Sequence, residues 1–484
     1  MGIKTNSYTK FIIILFFLNF LLRIPFFNLP AHHDELPYFD SALKVFNNNL
    51  NPFIEFQGYK PPVFYELAAI FFKILSPARF WGRLISSLFS SFCLLFTYLL
   101  GKKLFSERTG FWAVLILCVF PLFLAQSFLY QPPALLTFLA LATLYYYFLK
   151  KKFFYLVFAT LLVLTHETTI FFVILLFFFN LWEERKNHGF QIKKSLSLLF
   201  PLIFFAIWTF LNKKYLGWFF WPVHFSLVGK NRVYPRNPLL DILNLAFKEN
   251  FLWFVFSFIF FSLIFSIGYP KLKKKFIRKE ILFFVFLFFF YVVIFYWLDF
   301  LPRYLLFLYP LILLTFVWFL EKFFNQAKRL SLFFMVGVLL IYLYINLYNL
   351  FFLPWIPWAG EQDLRFLRIV FLQKEAARYI NSNFSDPIIV SVWPITQAFE
   401  KPFYGYVEKS LVGLYCGTEE AKIKIQELGS KEKYDNIILI SSSIYDSRNC
   451  FIYHNYNYKL IKEISLSSFP KNDIKIYKLV KKTL

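Results

Sequence analysis

The run FIIILFFLNFLL, Phe11–Leu22, is followed closely by AHHDELPYFD, Ala31–Asp40. The first stretch is apolar enough to begin a membrane span. The second packs two histidines and three carboxylates directly behind it. A membrane helix that ends in a cluster of acids delivers titratable chemistry to one face of a bilayer, and the remainder of the chain reads as what holds a substrate against that cluster.

The composition supports this reading. Of 484 residues, 59% are hydrophobic and 24% aromatic, with 73 Phe and 30 Tyr. Mean hydropathy is +0.56. Long charge-poor runs between short charged loops define a polytopic membrane protein. A net charge of +24 in a soluble chain would suggest nucleic acid. Here much of it lies in short loops between apolar runs, where it sets orientation, and no nucleic-acid partner is expected. No small-residue cleavage site follows the first run, which is therefore read as a retained span.

At about 20 apolar residues per span, eleven transmembrane helices are expected, near 10–29, 84–101, 111–128, 133–149, 152–165, 167–182, 195–212, 249–269, 281–299, 303–320 and 330–353. With the N-terminus cytoplasmic, the inner loops carry Lys102, Lys103 and Arg108, Lys150–Lys152, Arg185 to Lys194, Lys271 to Lys279, and Lys322, Lys328 and Arg329. The short turns at 129–132 and 165–167 carry no Lys or Arg. The longer outer loops are 30–83 and 213–248. Within the first, Val63–Leu75 is too short to span and reads as an interfacial helix, with a second around Ser41–Phe46. The transmembrane domain covers 1–358. After about Gly360 the pattern changes to one helix, within Glu361–Asn383, and short β-rich runs at Pro387–Val392, Asn436–Ile440, Lys459–Ser465 and Ile474–Leu479. Residues 359–484 thus read as a small soluble α/β domain, which an odd number of spans places outside the cell membrane. Cys416 and Cys450 in that domain could pair there; Cys93 and Cys118 lie in apolar runs.

The polar residues of the outer face come from distant segments. Asp34 and Glu35 are candidate catalytic carboxylates, with a general base toward a hydroxyl or amine as the role; the plain alternative is that they end a span and face water. Lys60, in QGYKPP, suits a phosphate at headgroup level, or anchors the loop by snorkelling. Arg83 and Arg303 have two readings each, phosphate ligand or structural ion pair. His33, Gln131, His166 and Glu167 are further candidates for acceptor or supporting roles. His33, His166 and Glu167 have the ligand chemistry for a divalent metal, with His32 and Asp34 nearby, but no spacing motif. No Gly-rich phosphate loop, zinc-spaced cysteine set or nucleophile elbow occurs, which argues against a nucleotide-driven pump.

The ordered set HDELPYFDSALKVF (33–46), GYKPPVFYELAA (58–69), ARFWGRLISSLFS (78–90), a span ending at GKKLFSERTG (101–110), and LPRYLLFLYP (301–310) resembles the membrane-embedded C-type glycosyltransferases. It is most similar to the protein O-mannosyltransferase and aminoarabinose lipid A transferase group. The resemblance covers roughly residues 10–320. It implies inverting transfer of a sugar from a polyprenyl-phosphate carrier, dolichyl phosphate among them, to a lipid or protein acceptor at the outer face. It further implies Asp34 as base or acceptor-positioning acid with Glu35 beside it, Lys60 at the donor phosphate, and arginines at 83 and 303. One departure stands out. The group usually has a second Asp at the outer start of a later span, where this chain has Gln131 before Pro132-Pro133. Glutamine cannot act as a base, so Asp34 works alone, Glu167 takes the second role, or activity is altered.

Two other classes use the same residues: a transporter or flippase of an amphiphilic substrate, and a non-catalytic scaffold. Transporters tend to show matching halves with broken spans, which this sequence lacks. Lipid-linked sugar transfer is the favoured expectation.

Overall fold

The computed structural model describes residues 6–54, 60–187, 195–222, 255, 258–260, 278–297, 302–324, 327–353, 361–430, 437–443, 456–465 and 472–481. Most of the expected span at 249–269 and most of the loop 213–248 lie outside the described residues, as does Cys450. Among the described residues, five helices are long and apolar enough to cross a membrane: Ser7–Phe26, Arg79–Leu104, Ser197–Leu216, Arg303–Phe323 and Lys328–Phe352. Shorter apolar helices run over Pro132–Phe148 and Lys152–Val163.

Burial sorts these helices into centre and rim. Arg303–Phe323 has 89% of its apolar window buried and Arg79–Leu104 has 67%, against 17% for Ser7–Phe26. The first two form the centre; the last shows most of its surface to the surroundings, as a lipid-facing helix does. The central helix Arg79–Leu104 has a row of small polar residues, Ser86, Ser87, Ser90 and Ser91, all buried. Asn19 of the first helix donates to Ser90 and Ser91 at 3.1 and 2.8 Å. Small residues and interhelical hydrogen bonds are how helices adhere where lipid removes the hydrophobic incentive. At its far end Gly101 lies against Gly110; a Cβ on Gly101 would meet the Gly110 Cα at 2.5 Å.

The expected span 111–128 is broken. It consists of Glu107–Cys118 and Pro121–Gln126. Ser106 starts the first by accepting from Thr109 N at 2.9 Å. Pro121 opens the second, since it can begin a helix but cannot continue one. Likewise the start of the 303–320 run is a 3-10 segment, Pro302–Leu308, before the α-helix Tyr309–Phe323. In the loop after the first span, helices cover Leu36–Asn47 and Val63–Leu75.

The C-terminal part contains the helix Phe366–Asn383 and a five-stranded sheet: β1 Ile388–Ser391, β2 Val412–Tyr415, β3 Ile437–Ser442, β4 Tyr456–Ser465 and β5 Asp473–Lys481. Strand order is β2-β1-β3-β5-β4. β1 is parallel to β2 and β3, and β5 is antiparallel to β3 and β4. β2 and the helix Glu419–Ser430 are not among the expected elements: VGLY is short and contains glycine, and EEAKIKIQELGS has little apolar periodicity. This part is stitched to the loop behind the first span. Ala31 N donates to the Tyr404 carbonyl, Tyr406 Oη donates to the Ala31 carbonyl, both at 2.9 Å, and Lys401 pairs with Asp40 at 2.8 Å.

Candidate active site

The turn His33–Glu35 is fixed by reciprocal bonds. His32 N donates to Glu35 Oε2 at 2.8 Å, and the Asp34 N–H points back at His32 Nδ1 at 3.4 Å. Such a capping box holds the turn that opens the helix Leu36–Asn47, with Pro37 in its first turn. The two neighbouring carboxylates are thereby sent to different surroundings.

Glu35 points inward and is fully buried. Arg83 Nε donates to Oε1 at 2.9 Å and Arg83 Nη2 to Oε2 at 2.6 Å. Tyr130 N adds a bond to Oε1 at 2.7 Å. The remaining donors of Arg83 go to the carbonyls of Phe26, Leu29 and Pro30 at 2.7–2.9 Å. Every N–H of Arg83 and both oxygens of Glu35 are therefore engaged within the protein. The forked geometry of guanidinium on carboxylate makes this a rigid strut between the first loop and the central helix. Gly82 makes it fit: a Cβ there would meet Phe39 and Tyr130 at 2.7–2.8 Å.

Asp34 points the other way and keeps 20% of its side chain exposed. Its Oδ2 accepts from Arg303 Nη1 at 2.5 Å. The same Nη1 lies 2.6 Å from Oε2 of Glu361. His33 Nε2 is 3.4 Å from Asp34 Oδ1 and 3.8 Å from Glu361 Oε1, with the Trp393 ring edge-on to His33 at 5.6 Å. Burial pushes the Asp34 carboxyl up, but Arg303 and His33 outweigh it and hold it below its usual value. Asp34 is thus ionised at neutral pH. Burial lowers both histidines, His32 well below the ordinary range, so their uncharged forms prevail.

Beside this group lies a second. Lys60 Nζ is 2.9 Å from His166 Nε2 and 3.8 Å from Glu167 Oε1, and stands 5.1 Å over the Tyr304 ring. Burial disfavours its charge, yet Glu167 and Tyr304 more than offset this and hold Lys60 above its usual value. Tyr304 joins the groups: it follows Arg303 in the chain, packs on His166 at 4.8 Å between rings, and places its hydroxyl 3.0 Å from that of Tyr38. Lys60 and Arg303 therefore stand over one aromatic ring, that of Tyr304, at 5.1 and 5.5 Å, and Arg303 links it to Asp34, 269 positions earlier in the chain.

Gln131 is buried next to Tyr130, at the start of the helix Pro132–Phe148, and neither amide atom has a hydrogen-bond partner among the described residues. His166 and Glu167 are placed with Lys60, whereas His33 is grouped with His32 and Glu361. Those three have ligating atoms within 4.8 Å of one another, a set of imidazole and carboxylate donors that a divalent cation can use. Glu361, Tyr38, Tyr304 and Trp393 are absent from the expected site. Glu361 is the informative omission, because it follows the composition change used to separate the C-terminal part.

The fold is that of a helical membrane protein, and the described residues bring acids, cations and tyrosines from distant segments into one cluster. The family model described as dolichyl-phosphate-mannose-protein mannosyltransferase matches residues 59–210. Over nearly its whole length the chain is similar to ArnT from Cupriavidus metallidurans in the apo state, with 12% identity, 97% of this chain and 98% of that chain covered, and a TM-score of 0.58. The same protein bound to undecaprenyl phosphate matches with 12% identity, 98% of each chain and a TM-score of 0.57. The Archaeoglobus fulgidus oligosaccharyltransferase in the apo form matches with 12% identity, 99% of this chain and 75% of that chain, and a TM-score of 0.51. No curated protein matches. The resemblance to the C-type glycosyltransferases thus extends from a few motifs to the whole fold, and the chain is an integral membrane protein of this architecture.

Proposed function

We propose that the protein is an inverting glycosyltransferase that moves a sugar from a polyprenyl-phosphate carrier to a lipid or protein acceptor at the extracytoplasmic face. The observation that carries this reading is that Lys60 and Arg303 stand over the Tyr304 ring while Arg303 also holds Asp34. Asp34 is the partly exposed carboxylate of the pair at 34–35 and is held ionised, so it can take the proton of an acceptor hydroxyl or amine. The acceptor oxygen or nitrogen bonds to the anomeric carbon as the bond from that carbon to the phosphate oxygen breaks. The phosphate departs with the electron pair, and Lys60 and Arg303 stabilise the charge that develops on it. Glu35 and Arg83, being saturated by each other and by backbone, act as the strut that holds Asp34 in place.

The membrane part over 1–358 carries the base and cations, and the part over 359–484 contributes Glu361 to the same site. Cys416 is disulfide-bonded, which fits an oxidising compartment. Lys102, Lys103, Arg108, Lys322 and Lys328 lie at the opposite ends of helices that carry Arg83 and Arg303 or adjoin them, as the positive-inside rule asks of a cytoplasmic face. For a divalent cation, His32, His33 and Glu361 are the donors, with Glu361 shared with Arg303; no step above is routed through it.

The test is transfer of labelled sugar from a polyprenyl-phosphate donor by the purified protein in lipid. Wild type is expected to transfer, and Asp34→Asn to lose at least ~10²-fold. Full activity in the Asn variant would remove Asp34 from the mechanism. Carrier movement across vesicles without any transfer would favour a flippase.

A further inference from the structure

At the end of the bundle opposite Asp34 lies a cavity of about 200 Å³, well above the roughly 10–15 Å³ that one water needs. It opens where the helix Arg79–Leu104 ends, Glu107–Cys118 begins, Tyr309–Phe323 ends and Lys328–Phe352 begins. The helix Arg79–Leu104 has 26 residues. At 1.5 Å per residue it is about 39 Å long, enough to cross a hydrocarbon core and place the cavity at the other headgroup layer.

The walls are of two kinds. Phe105, Trp318 and Phe324 supply apolar faces; Arg108, Lys322 and Lys328 supply positive charge. Arg278, outside the lining, stacks over Phe105 at 5.3 Å and is itself paired with Glu280 at 3.3 Å. The one carboxylate in the lining, Glu321, is already bonded. Its Oε2 accepts from Thr109 Oγ1 at 2.5 Å and Ser106 Oγ at 3.2 Å, and its Oε1 pairs with Arg108 at 3.3 Å. Lys322 and Lys328 are left as surplus charge. A separate observation asks for a polar ligand. Ser331 lines the cavity, is 2% exposed, and its hydroxyl has no hydrogen-bond partner among the described residues. A buried donor of this kind is costly unless something accepts from it.

The geometry points to this cavity as a binding site for the phosphate of an anionic membrane lipid. Lys322 and Lys328 would face its charge, Ser331 Oγ would donate to a phosphate oxygen, and the acyl chains would leave along the exposed rings of Phe333 and Phe334. Basic pockets between spans are a recurrent form of headgroup recognition. The site is distinct from the one around Asp34 and independent of any transfer reaction.

The test is native mass spectrometry of the purified full-length protein titrated with phosphatidylglycerol, with phosphatidylcholine and inorganic phosphate as separate arms. Wild type is expected to retain phosphatidylglycerol, and Lys322→Gln with Lys328→Gln to bind it at least ~10-fold more weakly. Ser331→Ala is expected to weaken it ~5-fold, the range for one hydrogen bond to a charged group or slightly below it. Lys322→Arg with Lys328→Arg should keep the affinity and guards against misfolding as the explanation. Unchanged affinity in the Gln pair, equal retention of phosphatidylcholine, or occupancy by inorganic phosphate that excludes the lipid would each overturn the assignment.

Discussion

Arg303 Nη1 lies 2.6 Å from Glu361, a residue 58 positions later in the part of the chain that carries the sheet. The same nitrogen is 2.5 Å from Asp34. One guanidinium thus ties the first loop, a central helix and the C-terminal part into a single ring of charge. Glu361→Gln should release Arg303 from that ring and cut turnover several-fold while leaving the fold in place. Asp363 gives the contrast: it accepts from Asn349 at 2.8 Å and Arg365 at 2.9 Å, away from Asp34. Asp363→Asn should lower thermal stability and spare the turnover of whatever folds. Equal effects of the two substitutions on turnover would remove Glu361 from the site.

Glu35→Gln should act on stability rather than on chemistry. Removing one member of a buried, fully hydrogen-bonded pair leaves Arg83 uncompensated, which costs about 3–5 kcal/mol. Loss of soluble yield in detergent or a lower thermal midpoint is the measurement. A stable Gln variant would mean that the strut is dispensable.

Lys60→Ala should weaken the use of the donor. A charge-assisted bond to a phosphate is worth roughly 1.5–3 kcal/mol, or about 10–100-fold in kcat/KM. The change is expected to fall on donor concentration dependence, with acceptor KM unaltered. Steady-state kinetics with each substrate varied separately decides this.

His32 supplies a pH dependence. Its folded pKa is lowered, mainly by burial, with His33, Arg303 and Arg83 adding to the effect. The unfolded chain takes up a proton near the usual value of about 6.5 and the folded chain does not. Stability is therefore complete above that value and declines as pH falls below it. The thermal midpoint should drop between pH 7.5 and 5.5, and His32→Asn should flatten the drop. His33 shifts in the same direction and will leave part of the slope.

The disulfide at Cys416 gives a topological test. In intact cells a membrane-impermeant reductant should open it, with Cys93 and Cys118 remaining inaccessible thiols. Opening only after lysis would place the C-terminal part in the cytoplasm and contradict the proposed orientation.

Much of the architecture was legible because the bilayer makes demands that composition alone must meet. Val63–Leu75 could be read as a helix too short to span because its apolar run ends there, and the helix has those bounds. Asp34, Lys60 and Arg303 could be singled out because charge at the edge of apolar sequence is costly without a partner. What escaped was direction and distance. Nothing in HHDE tells which carboxylate faces inward; that follows from Tyr130 N and Arg83, which only the fold brings to Glu35. Glu361 escaped because it follows the composition change near Gly360, whereas the packing crosses that change. The break before Pro121 escaped because the hydropathy of 111–128 is continuous and only the backbone is not.

Because Glu361 completes the ring, the order of synthesis matters. Asp34, Lys60 and Arg303 leave the ribosome well before it, and the sheet that anchors its segment comes later still. A nascent or truncated polypeptide would present the acid and the cations without their final arrangement, so full activity would arrive only when the last quarter of the chain has docked.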